Sequence, residues 1–187
     1  MDVTWTPHRF VGGALALDVA NSVILRIDPS RRVDRFALPQ QMDAFPEAAG
    51  EFSADRALFR EVTPVAAERR ADFLVLREAI DRYFRARADG EDDPHKLADL
   101  LGAAAVALRG SGIGSLEAAT ARSALRLLGD DQISRLKTCR NCGWLFIDRS
   151  RNRSRSWCDM TVCGNRVKAN RHYRRSRDGG PSAGDAT

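Results

Sequence analysis

All four cysteines of this 187-residue chain fall in one short segment, as Cys139-x2-Cys142, an interval of fifteen residues, then Cys158-x4-Cys163. No other feature restricts the fold so much. Two close pairs separated by a loop of this size match a four-thiolate structural zinc site. A Cys-x-x-Cys turn brings two sulfurs to one side of an ion, and the second pair closes a tetrahedron with Zn–S bonds of ~2.3 Å. Gly143 suits the first turn because glycine takes a positive φ at no steric cost, and Gly164 is expected to serve the second likewise. Disulfides would suit an exported chain, but "MDVTWTPHRF" has no basic leader and apolar core, so the cytoplasm is the expected compartment. A redox Cys-x-x-Cys would not need the second pair. His172 follows the site, but four thiolates already fill the shell, so one Zn2+ on Cys139, Cys142, Cys158 and Cys163 is the expected cofactor.

The residues around the cysteines define a small module over 135–177. In "WLFID", Trp144 and Phe146 fall on one face of a strand and Leu145 and Ile147 on the other. Trp157, before the second pair, is expected to pair back across it. These aromatics either pack a mini-core around the metal or stack on bases. In "DRSRNRSRS", Arg149, Arg151, Arg153 and Arg155 recur at every second position, so an extended chain would point all four to one side. Arginine there could bind phosphates bidentately. A helix is expected from about Asn165 to Arg175. Asn165, Arg166, Asn170 and Arg171 are of the types that read base edges, and Lys168, Arg174 and Arg175 of the types that hold phosphates. Lys137 to Arg177 holds twelve basic residues against Asp148 and Asp159, a balance of +10, whereas residues 1–136 balance at −3. Charge so concentrated points to a polyanion, with DNA first and RNA or a protein partner as alternatives.

Residues 1–134 predict a helical domain, so the fold class is mainly α with a small zinc-stabilised ββα-like finger at its end. Four amphipathic helices joined by short loops favour a bundle. The first is expected over Gly13–Arg26, using Ala16, Ala20, Val23, Ile24 and Ile27. The second starts at Thr63-Pro64, runs toward Arg87 with Phe73, Leu76, Ile80 and Phe84 on its stripe, and ends at Asp89-Gly90. Asp93-Pro94 starts the third, with Leu97, Leu100, Leu101, Ala104 and Leu108 inward. Ser115 caps the fourth, with Ala121, Ala124, Leu125 and Leu128 inward. Pro39 and Pro46 are expected to limit any helix over 36–50, a strand is allowed near Thr4–Phe10, and residues 178–187 read as a disordered tail. Asp18 and Asn21 could line a ligand pocket, joined by His8 and Arg9; the alternative is hydrogen bonding inside the bundle. No apolar run approaches the ~20 residues of a membrane helix. No nucleophile–base pair is visible, which argues against an enzyme.

The string "CGWLFIDRSRNRSRSWCDMTVCGNRVKANRHYRR" resembles the CGNR zinc finger, named for the signature that stands here at Cys163–Arg166. Members of that family usually carry an upstream ABATE domain, an alanine-rich helical region. "LALDVANSV" (Leu15–Val23) is similar to an "LDxxNT"-type motif near the start of that domain, with Ser22 in place of threonine. The resemblance implies a stress-induced transcription regulator, in which the finger binds DNA and the upstream domain senses a small ligand. A homodimer would suit paired half-sites.

Overall fold

The structure, a computed structural model, describes residues 4–59, 61–129, 131–169 and 173. Helices α1 (Leu15–Ala20), α2 (Pro39–Phe52), α3 (Arg70–Ala88), α4 (Pro94–Gly110) and α5 (Leu116–Leu128) pack around one core, with α3 against α1, α4 and α5. Two short antiparallel pairs complete it: β1 (Val23–Ile24) with β2 (Val33–Asp34), and β3 (Leu136–Thr138) with β4 (Leu145–Ile147). Among the described residues no helix is long and apolar enough to cross a membrane.

The expected stripe of α3 is the centre of the core, for Phe73, Leu76, Ile80 and Phe84 are all fully buried. Asp93 caps α4 by accepting from the His95 and Lys96 amides, and Ser115 caps α5 by accepting from Ala118 N. Each satisfies N–H groups that have no partner inside the first turn. Leu100 and Ala104 point inward from α4, whereas Leu101 and Leu125 of the expected stripes are exposed. Ala107 and Ala119 are buried in addition, beside the expected Ala121 and Ala124.

Four expectations are corrected. The first helix stops at Ala20, not Arg26: the β-branched pair Val23-Ile24 leaves it for a strand against Val33 and Asp34, and Ile27 is exposed. Residues 39–52 form a continuous helix despite two prolines. Pro39 stands in its first turn, where the missing N–H costs nothing. Pro46 forfeits one hydrogen bond, offset by burial of Met42, Phe45 and Ala49 on the same face. Thr63-Pro64 starts no helix; Thr63 bridges Ser115, and α3 begins at Arg70 after a 3-10 turn over Ala67–Arg69. Pro7–Arg9 is a 3-10 turn rather than strand.

The finger strand pairs with β3, ahead of the cysteines, rather than with the residues around Trp157. Its two faces divide as the alternation predicts. Leu145 and Ile147 join the main core with the helices, while Trp144 and Phe146 pack with the four cysteines. One strand therefore serves two hydrophobic clusters, and the metal module is joined to the helical part through β3 and β4.

Candidate metal centre and basic surface

Strands β3 and β4 flank the Cys139–Gly143 turn and hold the first cysteine pair. Gly143 takes φ 75°, as the turn requires, and its amide donates to Cys139 O at 2.9 Å. Arg85 of α3 donates to Gly143 O at 2.9 Å, tying the turn to the helices. The second pair lies around a wide turn, Met160–Gly164, where Gly164 needs no positive φ and its Cα faces the Met160 side chain. Asp159 starts that turn by accepting from Thr161 and Val162. Burial pushes the Asp159 carboxyl up, but the Thr161 hydroxyl, the His8 ring and the backbone amides outweigh it and hold it near 2.

The four sulfurs converge within 4.8 Å of one another, and all four cysteines are buried. Cys158 Sγ lies 3.6 Å from Cys142 Sγ and 3.7 Å from Cys163 Sγ. A regular tetrahedron with metal–sulfur bonds of ~2.3 Å has edges of roughly 3.8 Å, so the cage has the size of a tetrathiolate site. Deprotonating Cys158 is opposed first by the neighbouring sulfurs and then by burial. A bound dication supplies the missing counter-charge. Four buried, reduced cysteines at this spacing form a metal-binding site.

The expected arginine row does not form. Residues 148–155 turn back on themselves, with Arg153 at φ 47°, around the buried carboxylate of Asp148. Asp148 accepts from the Ser150 amide and hydroxyl, the Arg155 amide and Lys137 Nζ, at 2.6–3.0 Å. Burial pushes its carboxyl up, but Lys137, Ser150 and Arg155 together hold it well below the usual range. Lys137 also donates to the carbonyls of Arg153 and Arg155. The four arginines consequently differ. Arg151 and Arg153 are exposed. Arg149 donates to Gly13 O at 2.9 Å. Arg155 lies over the Phe146 ring and donates to Cys158 O, a structural role.

Beyond the cysteines, residues 165–169 are helical, and Asn165, Arg166 and Lys168 are exposed on them. Asn170, Arg171, His172, Arg174 and Arg175, with the tail from 178, lie outside the described residues. Arg166 lowers the pKa of Arg9, after burial, so the two charges are neighbours.

The residues expected at a ligand pocket have protein partners. Asp18 accepts from Gly12 N and meets Ser53 Oγ, both at 2.9 Å. Asn21 engages both backbone groups of Leu145. His8 Nδ1 donates to Asp159 at 2.8 Å, and Arg9 covers Trp144 with its guanidinium 5.6 Å from the ring centroid. Trp144 in turn donates from Nε1 to Val23 O at 3.0 Å. Sequence reasoning missed Asp148 and Asp159. Both head Asp-x-Ser/Thr triplets, the signature of a side chain that accepts from the amide two residues on, and that signal could have found them.

Two family models match the chain. One, ABATE, described as "Putative stress-induced transcription regulator", covers residues 13–136, and one for the CGNR zinc finger covers residues 135–176. Comparison with curated proteins gives no match.

Proposed function

The chain belongs to the ABATE family and carries a CGNR zinc finger at its C-terminal side, and on that basis we propose that it is a zinc-dependent DNA-binding transcription regulator rather than an enzyme. The cysteine cage would hold one structural Zn2+ through Cys139, Cys142, Cys158 and Cys163. Bound zinc supplies folding free energy to a module whose own apolar content is small. A closed four-thiolate shell leaves no open position for a reacting water.

The observation that carries the reading is the sorting of side chains on the finger. Arg151, Arg153, Arg166 and Lys168 are exposed, while the cysteines and Trp144 face inward. A surface of exposed cations on a rigid metal-held frame suits phosphate contact and groove insertion. Single-stranded RNA, by contrast, is read by stacking on exposed aromatic rings. Trp144 and Phe146 are buried and the Trp144 indole is held by Val23 O, which leaves Tyr173 as the exposed ring among the described residues of the finger and favours duplex DNA over that alternative. The helical part is the sensing or dimerising half, joined to the finger through β4.

The test is retention of a random duplex DNA pool by zinc-loaded protein at near-physiological salt, followed by sequencing. An enriched motif is expected, with log K falling against log salt at a slope of about −5 to −7 for six to eight phosphate contacts. No retention at low salt would sink the reading.

A further inference from the structure

Two adjoining cavities of about 270 and 350 Å³ open beside α5 and share Asp55, Leu58, Ser123 and Arg126 as walls. The first is lined by Phe59, Val62 and Ala119, and the second by Ala14, Leu127 and Ile147. Leu58 and Ile113, at the walls, leave 58% and 82% of their surfaces exposed, so the hollow presents apolar surface to solvent. Basic groups outnumber acidic ones, although Arg122 is held by Ile113 O at 3.0 Å. Arg122, Arg126 and Arg149 stand against Asp55 and Glu61. The Asp55 carboxylate is already engaged, by Leu15 N and Ser53 Oγ on one oxygen and Ser123 Oγ on the other, at 2.8–3.0 Å. An apolar hollow with arginines at its rim is complementary to an apolar body carrying one acid group.

The second cavity also touches the finger. Ile147 is the last residue of β4, and Arg149 opens the arginine-rich turn. Arg149 donates to the carbonyl of Gly13, itself a wall residue. A ligand in this space therefore meets the base of the basic turn directly.

We propose that the two adjoining cavities together bind a small apolar monocarboxylic acid, its body against Phe59, Ala119 and Leu127 and its carboxylate on Arg126. The bound acid displaces or reorients Arg149 and so moves the basic turn. The regulatory meaning rests on the DNA-binding reading above; the binding site itself does not.

The full-length, metal-loaded protein is titrated with para-trifluoromethyl-phenylacetate and with its uncharged primary amide, followed by fluorine NMR. The acid should bind about tenfold more tightly than the amide, the worth of one charge-assisted contact. Arg126→Gln, at an exposed position, should erase that preference. Ala119→Phe, which fills the first cavity, should abolish acid binding. The backbone amides of residues 147–150 should shift on saturation with the acid. Equal affinity for acid and amide, or acid binding unchanged in both variants, would overturn the site. Binding with residues 147–150 unmoved would overturn the coupling to the turn. Failure of DNA retention with acid binding intact sinks the regulator reading alone, and the reverse sinks this site alone.

Discussion

The side-chain amide of Asn21 spans the outer edge of β4: Nδ2 donates to Leu145 O and Oδ1 accepts from Leu145 N, both at 2.9 Å. Strand β3 pairs with the other edge. One carboxamide at the end of α1 thus stands in for a neighbouring strand, and it fastens the finger to the helices where no water reaches.

Asn21→Ala strands a buried amide and a buried carbonyl of Leu145. The cost should be about 2–5 kcal/mol, since each unmet group carries its full desolvation penalty. Urea unfolding of the metal-loaded protein measures it, and a change below about 0.5 kcal/mol would remove the clamp from the account.

Asp18 should make stability fall as pH rises. Burial, the largest cause, raises its pKa well above the usual value, and the Asp55 charge adds to it against the Ser53 and Gly12 hydrogen bonds. Ser53 Oγ has one proton for two carboxylates, Asp18 and Asp55. A protonated Asp18 resolves this by donating to Ser53, which donates to Asp55. The folded state then holds the proton more tightly than the unfolded chain, so stability declines from about pH 4 upward through the raised pKa. Asp18→Asn keeps both contacts without titrating. The stability difference between variant and parent should grow in the variant's favour with pH, and a flat difference would contradict the assignment.

Asp148→Ala should loosen the basic turn without unfolding the helices. It removes four accepted hydrogen bonds, including one from Lys137. Proteolysis between Asp148 and Ser156 should accelerate several-fold while far-ultraviolet dichroism holds; unchanged cleavage would mean that the turn is held by something else.

The exposed and committed arginines should separate in DNA titrations. Arg151→Ala with Arg153→Ala should flatten the salt slope by about 2, one per lost phosphate contact, at unchanged metal content. Arg155→Ala should instead speed metal release, because its guanidinium covers Phe146 and bonds Cys158 O. Equivalent behaviour of all three would argue against the sorting.

Cys158→Ser, or a strong chelator, should strip the metal. Helical dichroism should persist in buffer, but the urea midpoint should drop, because Leu145 and Ile147 sit in the main core. A metal-free protein of undiminished stability would show that β4 is held by the helices alone.

Local chemistry was the legible part. The cysteine spacing, the inside–outside alternation of Trp144–Ile147, the caps Asp93 and Ser115 and the stripe of α3 all follow from interactions within a few residues. Pro46 and Val23-Ile24 were misread because a neighbour across the fold decides them: burial of Phe45 carries α2 past its proline, and Val33 draws Ile24 into a strand.

A helical domain, a small four-cysteine metal module and a concentrated basic charge can be read along the chain, since periodicity, ligand spacing and charge are properties of residue order. Which arginines face outward, and how the finger is fused to the helices, follow instead from contacts between distant segments. Burial of Asp148 is what bends the arginine row, and the Asn21 clamp with Leu145 and Ile147 is what makes two segments one body. Both depend on desolvated hydrogen bonds between residues brought together by folding, whose strength exists only once water has been excluded.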